Sequence, residues 1–217
     1  MSYSLNTTIL NPISKEKPKN AVILCHGYGG DGKDISLLAS YWRAYLPETI
    51  FICPDAPEKC AVSSTGFQWF DLIDQSQDQI LTKSFVAEIK LNKLIEEVKQ
   101  KNNLTSNEIA IGGFSQGCMI ILQTGLKRRD KIKCIIGYSG RIIDVEHLGK
   151  NINSRPKIIL MHGDKDTVVP LNSLLEAKEF FNTNNYNIQT KIFKNCEHRI
   201  PAEGSSLGLE FIKKNLY

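Results

Sequence analysis

The sequence predicts an α/β architecture: a mainly parallel central sheet with helices on both faces. Three observations predict it. Short, almost wholly apolar runs recur at residues 21–25, 49–53, 134–138 and 157–161, as strands buried on both faces require. Between such runs lie stretches with apolar residues at helical spacing, for example Leu91, Leu94, Ile95 and Val98, and this alternation points to a parallel sheet. Glycine- or charge-marked loops follow Cys25, Ile111 and Met161. In parallel sheets the loops at the carboxyl ends of strands build the site.

The elements follow in order. Residues 3–10 read as a first strand and 11–20 as a Pro/Lys turn. The strand at 21–25 ends in His26-Gly27-Tyr28-Gly29-Gly30-Asp31-Gly32, too glycine-rich for anything but a loop. A helix over 35–45 is stopped before Pro47, and the strand at 49–53 is closed by Pro54. Residues 55–76 form a long irregular segment with an apolar cluster of Phe67, Trp69, Phe70, Leu72 and Ile73; long loops of this kind are usually functional. A helix is expected over 84–101, a polar connector over 102–107, and a strand, turn and helix across 109–126. After the strand at 134–138 a Gly/Asn-rich stretch runs to Pro156. The strand at 157–161 ends in His162-Gly163-Asp164-Lys165-Asp166. A helix over 171–182, a strand over 188–193, a loop over 195–201 and a helix over 203–215 complete the chain.

A length of 217 residues, 41% apolar and 23% charged, suits one globular domain spanning 1–217. Net charge is only +4, so nucleic acid is not an expected partner. The densest basic cluster, Lys127, Arg128, Arg129, Lys131 and Lys133, ends a helix, where cations complement the dipole, and reads as a solvated face. No apolar run reaches transmembrane length, and the first residues lack the pattern of a signal peptide. The expected location is therefore cytoplasmic, without stable membrane insertion. The six cysteines have no C-x-x-C spacing, which argues for reduced, packed thiols and against a zinc site. Cys196, two residues from His198, is the one placed near candidate chemistry.

Gly113-Phe114-Ser115-Gln116-Gly117 is a G-x-S-x-G sequence between a β-favouring run and a helix-compatible one, the context of a nucleophile elbow. In so tight a turn Ser115 must hold a strained backbone, and side chains at 113 and 117 would collide. The strain pushes the hydroxyl outward and aims the first helix amides, which lack intrahelical partners, at the same spot.

A serine hydroxyl needs a neighbouring base. Of four histidines, His26 and His162 stand at strand ends before glycine and read as loop-shaping, while His147 reads as surface. His198, in a loop near the C-terminus, alone leaves room for the order serine, acid, histidine. Asp144, Asp164 and Asp166 are the candidate acids, and spacing does not choose between the last two. The oxyanion donors are expected to be the amides of Gln116 and Tyr28.

Together His26-Gly27-Tyr28-Gly29, Pro54-Asp55-Ala56-Pro57, Trp69-Phe70-Asp71, the G-x-S-x-G sequence, His162-Gly163-Asp164-Lys165-Asp166 with Val169-Pro170, and His198 resemble the phospholipase/carboxylesterase family of serine α/β-hydrolases, which includes acyl-protein thioesterases. The resemblance covers nearly the whole chain. It implies an α/β-hydrolase fold without a large cap domain, a triad of Ser115, Asp166 and His198, and Asp166 rather than Asp164 as the acid. It also implies no metal or cofactor, and short- to medium-chain acyl esters, thioesters or lysophospholipids as substrates. Family members are often dimers, which makes a homodimer possible here, although the sequence shows no coiled coil or obvious interface motif. Phe67, Trp69 and Phe70 are expected to line the acyl groove. Other acyl hydrolases on the same fold, or a non-catalytic binding protein, are the competing readings. Two positions depart from the family: Glu197 stands where glycine is common before the histidine, and Tyr28 where eukaryotic members carry an aliphatic residue.

Overall fold

The structure, a computed structural model, describes residues 3–73 and 76–217; residues 74 and 75, within the segment read as irregular, lie outside the described residues, as do Met1 and Ser2 of the N-terminus. The chain runs β1 (Thr7–Leu10), β2 (Asn20–Cys25), α1 (Gly32–Trp42), β3 (Thr49–Pro54), β4 (Glu58–Lys59), β5 (Phe67–Gln68) and α2 (Gln77–Asn102). It continues with β6 (Ile109–Phe114), α3 (Gln116–Lys127), β7 (Cys134–Tyr138), α4 (Val145–Lys150), β8 (Lys157–Gly163), α5 (Asn172–Thr183), β9 (Gln189–Phe193) and α6 (Ala202–Leu216).

Seven strands form one sheet in the order β1-β3-β2-β6-β7-β8-β9. Only β1, at the edge, is antiparallel, paired with β3; the other neighbours run parallel. The central strands are buried on both faces, so alternate residues feed two cores. Ala21, Ile23 and Cys25 of β2 join α2, α3 and α5 on one face, through Leu91, Ile95, Ile121, Leu174 and Phe181. Val22 and Leu24 join α1 and α6 on the other, through Ala39, Trp42, Leu209 and Ile212. Register stacks Ile23 between Ile52 and Ile111. Full burial of one such side chain contributes about 1.5–3 kcal/mol, so this period-two pattern fixes the register.

Several boundaries differ from the sequence reading. Helix α2 starts at Gln77 rather than Ser84, because Ser76 and Gln79 form a capping box: the Ser76 amide donates to Gln79 Oε1 at 2.8 Å. Its first turns are polar and bury only Ile80, which hid them from an apolar count. Helix α4 went unread because it is short and buries only Leu148; Asp144 caps it, accepting from the His147 amide at 2.7 Å. Within 55–76 a two-stranded hairpin, β4–β5, packs on the loop after β2. Strand β1 is confined to Thr7–Leu10. The basic cluster is also less solvated than its composition suggests: Lys127 pairs with Glu88 at 2.7 Å, and Arg128 with Glu96 and Asp130.

Candidate functional site

The carboxyl end of β6 turns directly into α3 at Ser115, which has φ 54° and ψ −118°. A positive φ is unfavourable for a residue with a Cβ, so the fold must hold it. Two hydrogen bonds do: the Ser115 amide donates to the Tyr138 carbonyl of β7 at 2.8 Å, and the Met119 amide donates to the Ser115 carbonyl at 3.1 Å. The glycines are steric necessities. A Cβ at Gly113 would stand 2.5 Å from the Gly117 carbonyl, and one at Gly117 only 2.2 Å from the Cys25 carbonyl of β2. The elbow is therefore jammed against the end of β2 as well as against itself.

From Ser115 a continuous hydrogen-bond chain runs to a buried carboxylate. His198 Nε2 lies 3.0 Å from Ser115 Oγ, and His198 Nδ1 lies 2.7 Å from Asp166 Oδ2. Asp166 Oδ1 accepts from the amides of Val168 and Val169 at 3.0 and 2.9 Å. Burial pushes the Asp166 carboxyl up, but the bonds from His198 and the two amides outweigh it and hold the group below its ordinary value. It stays ionised, and its charge favours a His198 tautomer with Nδ1–H toward Asp166 and Nε2 free to accept from serine.

The other candidates have separate positions. Asp164 accepts from the Cys196 amide at 3.3 Å and ties the β8 loop to the loop that carries His198. Gly163 permits that approach, since a Cβ there would stand 2.2 Å from the Cys196 carbonyl. Asp144 caps α4. His162, buried at the end of β8, donates from Nε2 to the Val169 carbonyl at 2.8 Å and so shapes the loop holding Asp166. His147 is half-buried rather than on the surface, its ring against Phe85. Glu197 is not among the positive-φ residues, so replacing glycine there brings no strain; Asn195 takes the left-handed position instead, at φ 53°.

The loop after β2 passes beside the serine: a Cβ on Gly27 would stand 3.2 Å from Ser115 Cβ. His26 organises it. Its Nε2 accepts from the Ala56 amide at 2.9 Å, so Nδ1 carries the proton and donates to the Gly27 carbonyl at 2.7 Å. Burial pushes the imidazole pKa down, against the upward pull of the Gly27 carbonyl. The β4–β5 hairpin clamps the same loop, with Gly29 N to Phe67 O at 2.9 Å and Phe67 N to Gly30 O at 2.8 Å. Among the described residues neither the Tyr28 amide nor the Gln116 amide donates to a protein acceptor.

One structural role escaped the sequence. The buried Gln116 side chain accepts from the Trp69 amide at 2.8 Å and donates to the Phe70 carbonyl at 2.6 Å. It struts the elbow against the segment that leaves the hairpin, while Trp69 Nε1 donates to the His26 carbonyl at 3.0 Å. No sequence signal marked these contacts, which join residues 46 or 47 positions apart. The same contacts correct the groove assignment. Trp69 and Phe70 are 0% exposed and belong to the core, so neither lines a groove; Phe67 is half-buried, with Lys59 Nζ 3.9 Å from its ring centroid. A cavity beside the serine, about 370 Å³, is lined by His26, Tyr28, Ile35, Phe114, His198 and Ile200, and by none of Phe67, Trp69 and Phe70. A larger one, about 500 Å³, lies between α4 and α5 and touches none of these groups.

The arrangement offers a serine hydroxyl held beside a cavity, a base to take its proton, a buried anion behind the base, and amides in the adjacent loop and helix start without protein acceptors among the described residues. Cys118, three residues past the serine, is no rival nucleophile: burial pushes its thiol up to about 12. Among the described residues no group of three or more His, Cys, Asp or Glu side chains is placed to hold a metal ion, and no helix is long and apolar enough to cross a membrane.

Comparison with known proteins places this geometry in context. A family model described as Phospholipase/Carboxylesterase matches residues 7–216. The chain is 33% identical to acyl-protein thioesterase 1 of Saccharomyces cerevisiae, covering 91% of this chain and 93% of that protein. It is 26% identical to acyl-protein thioesterase 1 of Kluyveromyces lactis, covering 94% and 95%. Among solved structures it is similar to esterase PE8, with a TM-score of 0.92 at 32% identity over 98% of this chain and 99% of that one. The Zea mays acyl-protein thioesterase 2 structure shares the fold, with a TM-score of 0.79 at 21% identity over 98% and 99%.

Proposed function

The chain belongs to the phospholipase/carboxylesterase family, and from that premise we propose that it is a serine hydrolase cleaving acyl esters or thioesters through an acyl-enzyme on Ser115. The observation that carries this reading is the run from Ser115 Oγ to His198 Nε2 at 3.0 Å and from His198 Nδ1 to Asp166 at 2.7 Å. The fold spends strain at Ser115 and buries a carboxylate behind a histidine; neither feature serves packing.

In this reading His198 takes the Ser115 proton as Oγ bonds to the acyl carbon, and the carbonyl electrons move onto oxygen. The amides of Tyr28 and Gln116 hold that oxyanion; their lack of protein acceptors supports the role. Collapse breaks the bond to the leaving oxygen or sulfur, which takes the proton from His198. Water then repeats the sequence on the acyl-enzyme and frees the carboxylic acid and Ser115. Asp166 keeps its charge throughout and stabilises the imidazolium. The substrates are short- to medium-chain acyl esters, thioesters or lysophospholipids. The likeness to acyl-protein thioesterase 1 of two yeasts favours thioesters among these. The test is turnover of matched octanoyl esters and thioesters by wild type and Ser115→Ala. A loss of at least ~10³-fold is expected for both; retention of most turnover by the alanine variant defeats the reading.

A further inference from the structure

The cavity beside His198 does not end there. A second hollow of about 300 Å³ shares Asp34, Ile35 and Ile200 with it and continues along α1 to Leu37, Leu38 and Tyr41. The two make one trough between the outer face of α1 and the residues that follow His198. Helix α1 buries Gly32, Ser36, Ala39 and Trp42 on its sheet side, yet Leu37 and Tyr41, one turn apart on its outer side, are 74% and 50% exposed. Among the described residues nothing covers them. The trough floor is apolar, through Ile35, Phe114 and Ile200, and single charges, Asp34 and Arg199, stand on its walls.

From this placement we infer that the trough is the leaving-group subsite and selects substrates whose alcohol or thiol carries an extended apolar segment. This rests on the proposed acyl-enzyme reading. The direction follows from proton transfer. The group that leaves must receive its proton from His198 Nε2, so it departs on the side of His198, and the trough walls on that side are Arg199 and Ile200. At 1.5 Å per residue Leu37 lies about 3 Å along α1 from Ile35, which lines both hollows, so the outer apolar wall begins within a phenylpropyl chain's length of the part they share. The acyl chain then occupies the other side of the carbonyl, and the trough is indifferent to its length.

The test uses octanoyl thioesters of 2-mercaptoethanol and of 3-phenylpropanethiol, with the butanoyl pair to vary the acyl chain. Leu37→Glu, an exposed position where folding is not at risk, and Ile200→Asp place charge in the trough; Ile89→Glu, 66% exposed on α2, is the control. In the trough variants kcat/KM for the phenylpropyl thioester falls about tenfold relative to the mercaptoethyl one, the scale of losing one good apolar contact. The octanoyl-to-butanoyl ratio holds, and the control follows wild type in both. Labelling of wild-type Ser115 by a fluorophosphonate separates two failures. A labelled wild type whose leaving-group ratio stays put in the variants, or whose acyl ratio moves instead, overturns the subsite alone. An unlabelled wild type overturns the hydrolase reading and the subsite with it.

Discussion

Replacing Gln116 with leucine isolates a contact that the elbow motif does not specify. The side chain is 0% exposed and satisfies two backbone groups, the Trp69 amide at 2.8 Å and the Phe70 carbonyl at 2.6 Å. Leucine fills similar space and leaves both groups buried without partners, at about 1–3 kcal/mol each. Added apolar burial returns roughly 1 kcal/mol, so the net loss is about 1–5 kcal/mol. For a chain of this length each 1 kcal/mol lowers Tm by about 2–4 °C, which gives a fall of roughly 2–20 °C by calorimetry. Activity suffers as well, because the freed segment also positions the His26 carbonyl through Trp69 Nε1. At a temperature where the variant is folded, kcat for an octanoyl ester is expected to drop on the order of tenfold while KM changes less. A Tm within about 1 °C of wild type and an unaltered kcat would refute the strut.

Asp166→Asn is expected to lower kcat by about 10⁴-fold, since the amide no longer enforces the His198 tautomer. Because the folded carboxyl lies below its ordinary value, its stabilisation is present above about pH 4 and is lost as pH falls through the lowered value; wild type therefore exceeds the Asn variant in Tm by more at pH 7 than at pH 3. Gly117→Ala drives a Cβ to 2.2 Å from the Cys25 carbonyl, and soluble yield or Tm should collapse, whereas Gly149→Ala, with its nearest contact at 3.5 Å, should be tolerated. His26 is held neutral by burial, so the unfolded chain binds its proton first and stability declines as pH drops below about 6.5. In His26→Gln that component is absent, and the Tm gap between wild type and variant should narrow from pH 7.5 to pH 5.5.

The parallel sheet was legible because its strands are buried on both faces: residues 21–25 alternate between two cores, and neither face tolerates a charge. The elbow was legible because its glycines answer local collisions. The first turns of α2 were not, since Ser76 and Gln79 start that helix by capping rather than by burying an apolar face. Helix α4 contributes one buried side chain, too little to make a period. Among the candidate acids, Asp164 and Asp166 differ by two positions, which spacing alone does not resolve; the family resemblance pointed to Asp166, and the fold has Asp164 tying two loops together while Asp166 faces His198. Trp69 and Phe70 show the opposite failing: aromatic residues in an irregular segment read alike whether they line a groove or fill a core, and here backbone bonds from Gln116 draw them inward. The trough along α1 left no trace because its walls come from segments more than 150 residues apart, for instance Ile35 and Ile200.

The central claim is that an acyl group passes through Ser115. Rapid mixing of wild type with an octanoyl thioester, acid quench within the first turnover and mass analysis of the peptides tests it directly. An octanoyl adduct is expected on the peptide that holds Ser115, formed faster than it decays and missing in His198→Ala. An adduct confined to Cys196 or another thiol, or hydrolysis with no covalent species under single-turnover conditions that resolve it, would contradict the account.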